Sequence, residues 1–144
     1  MASDSYLAAC FCGRVELTVS GSPLFAGYCH CESCRTWLGA PIHAATLWHP
    51  RDVEIRRGEQ LLATYKKTER SHRKHCTACG GHVMNAHPSE ETIDILAPII
   101  RGFPFTPTMH VHYGEHIMEL RDGLPKYRDL PKEFGGSGEL IPEA

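Results

Sequence analysis

At 144 residues, with 42% hydrophobic, 22% charged and 8% aromatic side chains, the chain has an ordinary globular composition that excludes disorder, collagen-like repeats and coiled coil. A domain of this length buries about 68–70% of its unfolded surface, so a single domain over residues 1–144 with a modest core is expected. Fifteen Lys and Arg against 17 Asp and Glu give a net charge of −2, which offers no bulk electrostatic footprint for nucleic acid or an anionic membrane. Taken in chain order, residues 1–9 are polar and lack the basic start and long apolar run of a secretory signal. Residues 14–20 alternate strictly, with Val15, Leu17 and Val19 on one face and Glu16, Thr18 and Ser20 on the other, and predict a half-buried strand. A single helical turn is predicted at residues 32–38. Further strands are predicted at 42–48, 52–56, 61–66, 70–75, 81–86, 92–99 and 108–112, separated by turn residues such as His49-Pro50, Arg57-Gly58, Gly80-Gly81 and His87 to Ser89. From Asp122 onward the chain is rich in Gly and Pro and is expected to wrap the surface or fray, giving a core over about residues 6–127 and a tail over 128–144. Strands at this spacing predict an all-β, mainly antiparallel fold: a sandwich, barrel or tent.

The longest apolar stretch, residues 95–100, is interrupted by Pro98 and falls far short of the roughly 20 residues a membrane span needs. No membrane association is expected, and a cytoplasmic location follows. In that reducing compartment seven cysteines are metal ligands or catalytic thiols before they are disulfides, and an odd number cannot all pair.

The cysteines fall in three groups: Cys10-Phe11-Cys12-Gly13, Cys29-His30-Cys31-Glu32-Ser33-Cys34-Arg35, and Cys76-Thr77-Ala78-Cys79-Gly80-Gly81. A close cysteine pair followed by glycine is a zinc knuckle, because the turn brings both sulfurs to one side and glycine lets backbone N–H groups approach them. Tetrahedral structural zinc needs four ligands, so Cys10, Cys12, Cys76 and Cys79 together complete one closed site and staple the fold. Cys29, Cys31 and Cys34 then supply three sulfurs to a second zinc and leave its fourth position open, the mark of a catalytic zinc. Three thiolates on Zn(II) make a site of net charge −1, a weak Lewis acid poorly suited to activating water. It suits a soft ligand, and an incoming thiol would be held as thiolate.

Alternatives stand beside these readings. The first set can be buried or redox-active cysteines, and the triplet can be a second structural zinc completed by a histidine or aspartate elsewhere. A partition in which the triplet shares Cys76 or Cys79 would strand the remaining cysteines. His30, between two ligating cysteines, is expected to point its ring away from the metal and to lie behind the ligands or at the surface. His72 and His75 flank a basic strand and His110 and His112 share a later one, so these are read as surface or core residues. The run Lys66, Lys67, Arg70, Arg73 and Lys74 is read as a solvated edge that discourages strand pairing, or as a surface for substrate carboxylates and, less readily, phosphates.

Cys-x-Cys-Gly opening a strand, Cys-His-Cys-x-x-Cys-Arg, Cys-x-x-Cys-Gly-Gly and finally Asp122-Gly123-Leu124-Pro125 resemble the family of glutathione-dependent formaldehyde-activating enzymes and centromere protein V, over roughly residues 6–127. Where many relatives carry an aromatic residue shortly before the last motif, this chain has Ile117. The resemblance implies a β-tent, a structural zinc on Cys10, Cys12, Cys76 and Cys79, and a catalytic zinc on Cys29, Cys31 and Cys34. It also implies a carbon–sulfur lyase that interconverts glutathione and formaldehyde with S-hydroxymethylglutathione. Arg35 and the basic strand are the expected anchors for the carboxylates of a glutathione-like thiol, with a small aldehyde as second substrate. The opposing hypothesis is a binding module with two structural zincs.

Overall fold

The computed structural model describes residues 4–144. Its strands are β1 (Ser5–Ala9), β2 (Glu16–Ser20), β3 (Phe25–Cys29), β4 (His43–Trp48), β5 (Val53–Arg57), β6 (Leu62–Thr68), β7 (Ser71–Cys76), β8 (His82–His87), β9 (Thr92–Leu96) and β10 (His110–Val111), with one α-helix, α1 (Glu32–Leu38). The mostly antiparallel all-β architecture with one short helix is the expected one. Two strands, β1 and β3, lie where no strand was predicted. Their sequences, SYLAA and FAGYC, carry small residues and no run of β-branched ones, so propensity alone does not mark them.

The chain forms two compact units, the first comprising the described residues up to Phe25 with Thr46–Phe105, the second Ala26–Ala45 with Thr106–Ala144. In the first, β2 pairs antiparallel with β1 and with β5, and the alternation predicted for residues 14–20 is realised: Val15, Leu17 and Val19 are fully buried. β6, β7, β8 and β9 form an antiparallel meander. The predicted strand at 92–99 stops at Leu96, because Pro98 cannot donate to a ladder and Ala97–Ile99 turns as a 3₁₀ helix instead. The core gathers Ala8, Val15, Leu17, Trp48, Val83, Ile95 and Ile100 with the sulfur-bearing Cys10, Cys76 and Met84. Two buried polar groups there satisfy one another: Trp48 Nε1–H donates to Thr46 Oγ1 at 2.8 Å, and Thr46 Oγ1–H donates to the Ile95 carbonyl at 2.6 Å.

In the second unit β10 runs parallel to β3, with His110 opposite Tyr28 and Val111 opposite Cys29. The predicted strand at 108–112 is reduced to these two residues, since His112 turns into the left-handed region (φ 53°). On the other side of β10 lies the Gly- and Pro-rich tail. His110 N–H donates to the Pro125 carbonyl, Tyr127 N–H to His110 and His112 N–H to Asp129. The tail is therefore part of the fold rather than a frayed end: Lys126 and Pro131 are fully buried, and Tyr127 bridges antiparallel to Leu140. Its glycines make this possible, for a Cβ on Gly136 would lie 2.1 Å from the Leu130 carbonyl oxygen.

Candidate metal centres

In the first unit, Cys10 follows the end of β1, and its turn is closed by Gly13 N–H donating to the Cys10 carbonyl at 3.0 Å. Cys76 ends β7, and the hairpin tip is closed by Gly80 N–H to the Cys76 carbonyl at 2.7 Å. Glycine at φ 81° (Gly13) and 78° (Gly80) takes the conformation each knuckle requires. Backbone amides are aimed at the sulfurs, with Val15 N–H 3.3 Å from Cys10 Sγ and Gly81 N–H 3.4 Å from Cys79 Sγ. The four sulfurs lie within 4.8 Å of one another, with Cys10 to Cys12 at 3.6 Å and Cys12 to Cys76 at 3.9 Å. Sulfurs about 2.3 Å from a tetrahedral zinc are about 3.8 Å apart, so the quartet has the spacing and donor chemistry to hold one. The Gly81 N–H, with further hydrogen bonds from Cys12 and Cys76, brings the Cys79 thiol down to about 6 against the opposing effect of desolvation, which readies it as a thiolate ligand.

In the second unit, Cys29 is the last residue of β3, Cys31 is the N-cap of α1 and Cys34 lies in its first turn. Cys31 Sγ accepts the Cys34 N–H at 3.3 Å, the service an N-cap oxygen ordinarily performs. Glu115 Oε1 accepts the Glu32 N–H at 3.1 Å and satisfies another free donor of the helix start. The three sulfurs lie within 4.8 Å of one another; Cys29 and Cys34 are buried and Cys31 is partly open. Hydrogen bonds from the Cys29 and Cys34 thiols, and then the Cys34 amide, pull the Cys31 thiol down to about 2. The same contacts, with burial, push Cys29 well up. Negative charge is thus concentrated at Cys31 with two thiols donating to it, and a soft cation fits this donor set. The set contains no nitrogen of His30.

His30 lies behind the ligands, as one of its two expected placements had it, and is fully buried. Its Nε2 lies 2.8 Å from His110 Nδ1, and His110 Nε2 lies 2.7 Å from Asp122 Oδ2. Burial, then the neighbouring His110, His116 and Arg35, bring His30 down to about 4, so the ring is neutral near pH 7. Partial burial works against the Asp122 carboxylate, but hydrogen bonds from His110, Lys126 and the Leu124 amide outweigh it and bring the group to about 2. Lys126 Nζ donates to Asp122 Oδ1 at 3.0 Å and also to Glu143. Arg35 Nε–H donates to the His30 carbonyl at 3.0 Å, tying the cysteine loop to α1. Of the basic run, Lys66 and Lys67 lie on the exposed edge strand β6, Arg70 pairs with Glu90, and Lys74 donates to Thr64 Oγ1; Arg73 is buried. All five belong to the first unit, the triplet to the second. Sequence reasoning assigned no role to His110, Lys126 or Glu143. The one signal near them was the Asp-Gly-Leu-Pro motif, of which Asp122 is the first residue.

A family model described as glutathione-dependent formaldehyde-activating enzyme matches residues 5–115. No curated protein matches the chain. Among solved structures, the crystal structure of a Rhodobacter sphaeroides protein from a structural genomics programme is similar at 27% identity and a TM-score of 0.55, covering 67% of this chain and 89% of that one. Among the described residues no helix is long and apolar enough to cross a membrane.

Proposed function

The chain belongs to the glutathione-dependent formaldehyde-activating enzyme family, and from that premise we propose that it is a zinc-dependent carbon–sulfur lyase acting on a thiol adduct of a small aldehyde. The substrates best supported are glutathione and formaldehyde. The thiol sulfur adds to the aldehyde carbon, one S–C bond forms, the C=O π bond becomes a C–O bond, and the thiol proton ends on the new hydroxyl oxygen of S-hydroxymethylglutathione. Lysis is the reverse. The observation that carries the proposal is the division of the seven cysteines into a quartet at closed tetrahedral spacing and a triplet that is one ligand short. Bound by Cys29, Cys31 and Cys34, zinc supplies a coordination position at which a thiol loses its proton near neutral pH.

The protein groups supply position and charge. α1, capped by Cys31 and Glu115, holds two of the three sulfurs on a rigid turn. Arg35, whose Nε is engaged by the His30 carbonyl, retains two terminal nitrogens suited to a bidentate carboxylate contact. A structural zinc on the quartet, a β-tent arrangement of the sheets and a cytoplasmic setting, where thiols stay reduced, belong to the same proposal. The test is the rate of hemithioacetal formation from glutathione and formaldehyde at limiting thiol. Acceleration by the protein that disappears in Cys31→Ser is the expected result. A rate equal to the uncatalysed one excludes this reaction.

A further inference from the structure

The buried histidine pair has a direction that follows from its ends. An ionised carboxylate can only accept hydrogen bonds and an ammonium can only donate them. Asp122 Oδ1 takes its hydrogen bond from Lys126, so Oδ2 takes one from His110 Nε2–H. In a singly protonated imidazole that donates through Nε2, Nδ1 carries a lone pair. That lone pair accepts from His30 Nε2–H across the 2.8 Å contact. The remaining nitrogen, His30 Nδ1, is then an acceptor, and it is buried with no hydrogen-bond partner among the described residues. A buried acceptor without a donor is costly and unusual in a folded protein. Here it sits in the residue between two cysteines of the triplet.

We propose that Asp122, His110 and His30 form a buried positioning relay for the three-cysteine site. The Asp122 carboxylate fixes the tautomer of both imidazoles, the relay locks the Cys29-His30-Cys31 turn, and His30 Nδ1 is kept as an unprotonated acceptor. The backbone enforces the same alignment. Cys29 is in register with Val111 on β10, His30 N–H donates to the Val111 carbonyl, and His110 bridges to Lys126. Carboxylate, imidazole and cysteine loop therefore stand on three adjacent extended segments, and the Asp-Gly-Leu-Pro motif gains a physical purpose. The inference rests on the triplet being a metal site, but not on the identity of thiol or aldehyde.

Asp122→Asn isolates the effect. An asparagine has one accepting oxygen and one donating amide group. Lys126 demands the oxygen, so the amide turns its N–H toward His110 Nε2. That nitrogen must then accept, His110 carries its proton on Nδ1, and His30 follows. One isosteric change reverses the whole chain and protonates His30 Nδ1.

The experiment is nitrogen-15 NMR of the imidazoles in the zinc-loaded protein, with cadmium-113 NMR and cadmium titration after metal exchange. In the unaltered protein both His30 and His110 should be Nε2–H tautomers. In Asp122→Asn both should become Nδ1–H, the cadmium signal of the three-sulfur site should move, and its affinity should fall 10- to 100-fold, the usual effect of altering a group that supports a metal site from behind its ligands. The four-sulfur signal should stay where it is. A proton on His30 Nδ1 in the unaltered protein overturns the proposal without any variant. So does an Asp122→Asn protein whose three-sulfur signal and affinity are unchanged; in that case the metal site stands and only the relay falls. A protein that shows no three-sulfur cadmium signal at all removes both.

Discussion

The quartet and the triplet are built from the same ligand atom and differ in how much chain they close. Cys12 and Cys76 are 64 residues apart, whereas Cys29, Cys31 and Cys34 lie within six consecutive residues. Loop-closure entropy grows with the logarithm of length, so closing the longer loop removes about 2 kcal/mol more from the unfolded state than closing the shorter one. Half of the quartet is embedded in the hydrophobic core of its unit, with Cys10 and Cys76 packed beside Val15, Leu17 and Trp48, while Cys79 is partly buried and Cys12 is exposed. The triplet instead brackets His30, from which a chain of polar side chains runs through His110 and Asp122 to Lys126. In the proposed function the first centre would stabilise, whereas the second would cost little to leave incomplete, and incompleteness is what chemistry at a metal requires.

The largest way to break this contrast is Cys76→Ser. Structural zinc contributes about 10–16 kcal/mol of apparent binding energy in small domains, as much as the whole stability of one. Cys76→Ser should therefore abolish cooperative thermal unfolding, followed by circular dichroism. Cys31→Ser should lose the three-sulfur site while its melting temperature moves by only a few degrees, since serine is itself a good N-cap for α1. Equal destabilisation by both would erase the distinction. A smaller effect is expected from Gly58→Ala. Gly58 sits at φ 81°, and a Cβ there would lie 2.2 Å from the Arg14 carbonyl and 2.9 Å from Val15 Cα, at the exit of the first knuckle. Backbone strain and the forced shift should cost about 2–4 kcal/mol. This is readable as a lower denaturant midpoint, with the three-sulfur site intact in the molecules that remain folded.

Much of this contrast is legible in the sequence, because ligand type and spacing are local properties. Cysteine pairs followed by glycine announce knuckles before any fold is known, and the alternation of Val15, Leu17 and Val19 announces β2. What is not legible is whatever depends on pairing between distant segments. β3 looks unlike a strand because Ala26 and Gly27 give it little propensity; it becomes one by pairing with β10. His110 reads as an ordinary strand histidine until that register brings it to His30. Lys126 reads as a tail residue until burial beside Asp122 and Glu143 makes it the cation that orients the carboxylate. The glycines of the tail, taken alone, signal a segment that wraps the surface or frays; in the fold they allow close backbone packing, as Gly136 does on Leu130.

The finest test of the contrast asks in which order the two centres lose metal, and which thiol is then exposed. A set of four sulfurs that joins distant segments holds zinc with no position left for an incoming ligand, while a triplet with one exchangeable position is open to a chelator. Titration with a chelator should therefore remove one equivalent first, with the circular dichroism unchanged, and the second only as the fold is lost. After the first step, an alkylating reagent applied at about pH 6 should label Cys31 before Cys29 or Cys34. The sign follows from the shifts. Cys31, pulled down to about 2 by hydrogen bonds from Cys29 and Cys34, is a thiolate throughout the mildly acidic range, and thiolate is the reactive form. Cys29, pushed up by the same two neighbours and by burial, keeps its proton. Labelling of Cys31 should hence be nearly independent of pH between about pH 5 and 8, whereas an ordinary thiol becomes about tenfold more reactive per unit of pH below its pKa. Peptide mass mapping decides it. Release of both metals in a single step, or Cys29 labelled first, would show that the triplet is held together by the same closed logic as the quartet.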